Sequence, residues 1–375
     1  MEPEEIETLT DLESALDSGA PLAGLRLQDL DLTAYEDRLL ARTDVAGLVV
    51  LGGRLSPALN AHLGKHHALV FPSDPRAPVD PYRSRLYSPQ ELYAGLDDGG
   101  YDATPDARAY RWTRRGSVRH DAFVTLLRAI HDDSITDALT EFIAGRPVVG
   151  VMGGHALGRR STSYARAAAC GHALAAAGVM VATGGGPGAM EAANLGALAA
   201  DSAALQDALD RLAAVPSFRP SITDWARLAL QVRDGLPRRE TPASIGIPTW
   251  FYGHEPPNVF CDAVAKYFSN AIREDGLLAR CTAGLVVLEG AAGTVQEVFQ
   301  AVTPLYYATG EAVLPRLVLV GHEYWTETVP VWSAVQALGR GRGLGAAVHL
   351  VDTVEEAATV ILDGLPGSLY SPATT

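Results

Sequence analysis

Lysine is nearly missing from this 375-residue chain. Lys65 and Lys266 are the only two, and arginine carries the rest of the positive charge. A cofactor held as a lysine Schiff base, as in a pyridoxal-dependent decarboxylase, has one candidate in the main domain, Lys266, and no cofactor-binding sequence surrounds it. Cysteine is scarce as well. Cys170, Cys261 and Cys281 stand far apart without C-x-x-C spacing, which gives no support to a disulfide framework or a zinc site. His66 and His67 have no carboxylate or cysteine at ligand spacing, so no metal is expected. No apolar run approaches the length of a membrane span. The acidic start, Met1-Glu-Pro-Glu-Glu-Ile6, lacks the basic and apolar regions of a signal peptide. A formal net charge of −14 argues against nucleic-acid and anionic-membrane partners. The expectation is a cytoplasmic protein.

Glycine is where the chain is informative. Leu285-Val-Val-Leu288 reads as a buried strand, followed by the small residues Gly290-Ala-Ala-Gly293 and then a helical pattern from Thr294 to Val302. Strand, small-residue turn and helix start aim free backbone N–H groups at an anion. Thr294 and Glu297 also spell a T-x-x-E capping box, which needs no ligand. A second element of the same kind tips the balance toward a working site. Strand-like Val179–Thr183 runs into Gly184-Gly-Gly-Pro-Gly-Ala-Met190 and a helical stretch from Glu191. A third glycine pair, Gly153-Gly154, follows the strand-like Pro147–Met152.

The expected fold is α/β, a doubly wound parallel sheet of Rossmann-like type with a smaller N-terminal α/β module. The module covers residues 1–115 and has no assigned role; the nucleotide-binding domain covers 116–375, with a helical insertion at about 201–235. Within the module, Leu25-x-Leu-x-x-Leu-x-Leu32 hints at a repeat, and 72–114 reads as a long connection with packed aromatics. In the main domain the G-x-G-x-x-G dinucleotide fingerprint and its acidic partner are missing. Arg159, Arg160 and Ser161 are candidate phosphate-side groups or simply a solvated helix start. Lys266, Tyr267, Phe268 and Arg273 are placed on one helix ahead of the Gly290 turn.

Gly184-Gly-Gly-Pro-Gly-Ala-Met190 together with Gly290-x-x-Gly-Thr-x-x-Glu297 resembles the Lonely Guy group of phosphoribohydrolases, which split nucleoside 5′-monophosphates into base and ribose 5-phosphate. The loop His254-Glu-Pro-Pro-Asn258 is similar to that of the larger bacterial nucleotide 5′-monophosphate nucleosidases in the group. The resemblance covers about 145–355. It implies that Glu297 is the catalytic carboxylate, that Arg273 takes the place of the catalytic arginine, and that Gly293 and Thr294 contact phosphate. The substrate-binding set is completed by Gly153, Gly154, Gly184, Gly185, Gly186, Met190, His254, Glu255, Asn258 and Gly290. It also implies a homodimer or higher homo-oligomer, and no cofactor or metal is required.

One departure matters. The group's Pro-Gly-Gly-x-Gly-Thr becomes Glu289-Gly-Ala-Ala-Gly-Thr here. A carboxylate about 5 Å from a phosphate costs on the order of 3 kcal/mol at an effective dielectric of about 20. Glu289 therefore points away, pairs with an arginine, or weakens phosphate binding. The competing reading is a non-catalytic nucleotide sensor with the same fold.

Overall fold

The computed structural model describes residues 5–74, 76–115, 121–251, 255–309 and 313–365. It divides into two compact units, residues 1–86 with 112–139 and residues 87–111 with 140–375, so the chain crosses between them three times.

In the smaller unit, β1 (Glu5–Ile6), β2 (Arg26–Gln28), β3 (Val49–Leu51) and β4 (Leu69–Phe71) form a parallel sheet in simple chain order. Glu5, Arg26, Val49 and Leu69 stand in register. Each strand follows the last after about 20 residues, the length of a solenoid repeat, so the leucine pattern marks one turn of a strand-and-helix coil. Leu27 and Leu32 point into a core shared with Leu12 and Leu16 of the helix Leu9–Ser18 and with Leu59 and Leu63 of Pro57–Lys65.

The larger unit is built on seven parallel strands: β5 (Val148–Met152), β6 (Met180–Thr183), β7 (Ser244–Gly246), β8 (Ala263–Val264), β9 (Gly284–Val287), β10 (Leu317–Val320) and β11 (Val348–Val351). Their order is β11-β10-β9-β5-β6-β7-β8. Every residue of β5, β6, β9 and β10 is buried, as unbroken aliphatic runs require when helices cover both faces. The result is a doubly wound, Rossmann-like α/β fold. The alanine-rich helix Thr162–Ala176 lies backbone to backbone against Ala189–Leu198; a Cβ on Gly196 would stand 1.8 Å from the Ala168 carbonyl oxygen. Small side chains are what allow that approach, and it holds Ala189–Leu198 tightly against its neighbour.

Two helices, Ser202–Leu212 and Ile222–Gly235, occupy the stretch read as a helical insertion. Two expectations are corrected. The stretch read as a connection is ordered around short helices, Pro89–Leu92, Leu96–Gly99 and Pro105–Arg114. Lys266, Tyr267 and Phe268 are not on a helix: Tyr267 N–H donates to Pro248 and its carbonyl accepts from Trp250 N–H, extending the sheet ladder until Ser269 caps Asn270–Arg280. The Lys266 ammonium is buried 2.5 Å from Asp106, whose oxygens also accept from Trp250 Nε1 (2.8 Å) and Tyr101 Oη (2.7 Å). Its nitrogen is engaged in holding this part of the fold.

Candidate active site

The sheet order changes direction at β5, which has β6 on one side and β9 on the other. Connections leaving these strands diverge to opposite faces, and the crevice beyond their carboxyl ends is where such folds bind ligands. The three glycine turns meet there. Gly154 N–H donates to the Glu289 carbonyl and its own carbonyl accepts from Ala189 N–H, both at 3.1 Å, stitching together the loops after β5, β9 and β6. Gly153 sits in the same seam, with no room for a Cβ between Ala189 and Leu288.

Gly184, Gly185 and Gly186 form the turn after β6. Gly185 has φ +70°, and a Cβ there would meet Pro248 at 2.7 Å, so both backbone and space demand glycine. Met190 lies along the same turn, its Sδ and Cε against Gly184 and Gly186. Asn258, expected among the substrate contacts, is instead buried with its amide spent on the protein. Its Nδ2 donates to the Gly186 carbonyl (3.1 Å) and to Asn194 Oδ1 (2.9 Å), and its backbone N–H donates to Gly185 (2.8 Å). Asn194 is held in turn by Thr183 and Ser244. This buried polar network fixes the glycine turn and leaves Asn258 as a positioning residue.

The turn after β9 decides the capping-box reading of T-x-x-E. The helix starts at Ala292, two residues before Thr294, and its N-cap Ala291 makes no side-chain hydrogen bond. The capping box is therefore not made. Thr294 is buried with its hydroxyl against Gly290, where a Cβ would lie 2.2 Å from Oγ1, so its oxygen supports the turn from beneath. Gly293 is exposed to open space, and the helix start around it is uncapped by any side chain. Glu289 turns outward toward the next strand, its Oε1 3.3 Å from where a Cβ on Gly321 would be.

Arg273 and Glu297 face one another here from the helices Asn270–Arg280 and Ala292–Tyr307. Arg273 Nη1 is 3.8 Å from Glu297 Oε1, near enough to attract but too far for a hydrogen bond. Their side chains are 11% and 17% exposed. Nε and Nη1 of Arg273 have no hydrogen-bond partner among the described residues. Such donors, shut away from water, are costly unless a ligand satisfies them. The site that Nη1 looks onto is the Gly184 turn, 3.9 Å from a Cβ position there.

Burial raises the Glu297 carboxyl to about 7; Arg273 opposes the shift, while Glu274 and Glu255 add to it. Two consequences have definite signs. Folded-state stability from this group is greatest below the unfolded value near 4.5 and is lost as pH rises through about 7. Any step that uses the carboxylate gains as pH rises through the same range, so kcat/KM should show an acid limb centred near 7. In Arg273→Ala that limb should move to higher pH, because the opposing charge is gone; an unmoved limb would assign it to another group.

Glu255 reaches the same crevice, its Oε2 3.7 Å from a Cβ position on Gly186. Its Oε1 is 3.2 Å from Nδ1 of His155, a residue the sequence reading missed. The signal was available, since His155 directly follows Gly153-Gly154. His254 lies outside the described residues. Arg159 is not a phosphate group: it is buried 2.5 Å from Glu191 and stacked 4.8 Å from the Trp225 ring. Ser161 caps the helix Thr162–Ala176, and Arg160 donates to the Ala213 carbonyl. That segment is a helix start.

No protein-family model matches the chain, and no curated protein matches it either. Similar solved structures include the molybdenum cofactor carrier protein from Chlamydomonas reinhardtii, 18% identical over 58% of this chain and 98% of that one, with TM-score 0.35. Another is the molybdenum cofactor binding protein from the phototrophic bacterium Rippkaea orientalis, 18% identical over 59% and 98%, with TM-score 0.35. Likeness at this level does not say what this chain binds. Among the described residues no helix is long and apolar enough to cross a membrane.

Proposed function

We propose that this chain hydrolyses the N-glycosidic bond of nucleoside 5′-monophosphates, giving free base and ribose 5-phosphate. The observation that carries the reading is the pair of buried, unbonded opposites, Arg273 and Glu297, beside the glycine turns at the switch point of the sheet. Breaking the bond between C1′ and the base nitrogen builds positive charge on the ribose ring. Glu297 as carboxylate stabilises that charge and orients the water that adds to C1′; one of the water's protons stays on the new C1′ hydroxyl and the other ends on the departing base nitrogen. Arg273 and the N–H groups at the start of Ala292–Tyr307 supply positive potential for the 5′-phosphate. The test is product analysis: base and ribose 5-phosphate appear in equal amounts.

The working unit is proposed to be a homodimer at least. Ile272, Tyr307 and Val313 are large apolar residues left exposed on or next to the helices Asn270–Arg280 and Ala292–Tyr307. A 740 Å³ cavity walled by Leu278, Ala301, Pro304 and Leu305 lies between those helices. A second copy covers such a surface at low cost. Light scattering at micromolar concentration should give a mass at least twice the chain's 39.6 kDa; a strictly monomeric species would remove the proposal.

A further inference from the structure

A second cavity, of 650 Å³, opens at the amino ends of β5, β6 and β7. All three strands are parallel and the glycine turns of β5 and β6 lie at their carboxyl ends, so the sheet separates this cavity from Arg273 and Glu297. Its floor is small and apolar, with Ala175, Gly178 and Ala200, and that lack of side-chain bulk is why there is room. Its rim carries Arg146, Arg238 and Arg239, with Glu240 the one acid in the lining.

Among the described residues none of the three arginines pairs with a carboxylate. Arg146 donates to the Pro242 carbonyl at 2.6 Å; Arg239 donates to the Ala197 carbonyl at 3.2 Å and approaches His172 Nδ1 at 3.2 Å. Burial pushes the Arg239 guanidinium below its usual range. Arg238 is exposed, and among the described residues its side chain makes no hydrogen bond or ion pair. Three like charges converge on one concavity in a protein of net charge −14, where acids are plentiful elsewhere. A cleft lined by one sign of charge focuses potential and raises the local concentration of oppositely charged ligands. Guanidinium forks match phosphate oxygens in pairs, and the cavity falls in the size range of small-molecule sites.

We propose that this cavity binds a phosphorylated small molecule of charge −2 or more, at a site distinct from the candidate active site. The proposal does not depend on the hydrolase reading. Inorganic pyrophosphate is the probe, titrated calorimetrically into the full chain carrying Arg273→Ala, which disables the other anion site. One saturable site is expected. Arg238→Ala, added to that background, should weaken it roughly tenfold or more, as loss of a charge-assisted contact does, and Arg238→Lys should fall between. Arg238 makes no side-chain bond, so its replacement leaves the fold intact, checked by circular dichroism. Citrate at the same ionic strength should bind at least about tenfold more weakly, since the proposed ligand is a phosphorylated molecule and citrate offers charge without a phosphate group. Equal affinity for citrate, absence of saturable heat at millimolar probe, or binding indifferent to Arg238→Ala and Arg239→Ala overturns the proposal.

Discussion

Replacing Glu297 by glutamine should abolish base release, by about a thousandfold or more, while nucleotide binding stays within a few-fold. The substitution keeps shape and volume and removes only the charge. A carboxylate 17% exposed stands where little water screens it, so its field on a cationic sugar ring is strong. Glutamine offers a dipole in place of that charge and cannot stabilise the oxocarbenium ion to the same degree. Arg273 and the helix start are untouched, which is why binding survives. Normal turnover by this variant would reduce Glu297 to a structural residue of its helix.

Nucleosides should be cleaved about a thousandfold less efficiently than their 5′-monophosphates. Each charge-assisted hydrogen bond to phosphate contributes about 1.5–3 kcal/mol, and two or three of them are lost together. The anchor is remote from the bond that breaks, yet it holds the ribose against Glu297, so its loss lowers kcat as well as affinity. Triphosphates should also be poor, because their added charge meets a protein of net −14. The measurement is kcat/KM for AMP, GMP, CMP and UMP against the four nucleosides. Equal values for nucleoside and monophosphate would refute the phosphate role given to the turns.

The sheet was legible because its strands are short aliphatic runs ending in glycine, and periodicity with turn residues locates such elements well. Arg273 and Glu297 were singled out by the resemblance, which does not give their relation in space. That they stand 3.8 Å apart with the arginine's Nε and Nη1 unbonded depends on two helices meeting in space. Asn258 was misread for the same reason. A polar residue in a loop past a strand reads as a ligand contact, and only the fold reveals Asn194 waiting for it. The capping box was the alternative reading of T-x-x-E and it is not formed: such a box needs its threonine at the helix boundary, and this helix begins two positions earlier, among small residues. Arg146, Arg238 and Arg239 carry no motif, and only strand order brings them to one rim.

The central claim is that the Arg273–Glu297 crevice is a hydrolytic site for nucleoside 5′-monophosphates, and its most direct test is a product assay. The full chain is incubated with AMP, GMP, CMP and UMP beside its Glu297→Gln variant, and ribose 5-phosphate and free base are both quantified. The account predicts equal amounts of both products from at least one monophosphate with the native chain, and none above background with the variant. Tight binding of monophosphates with no product from any of them would contradict it and make the protein a nucleotide sensor.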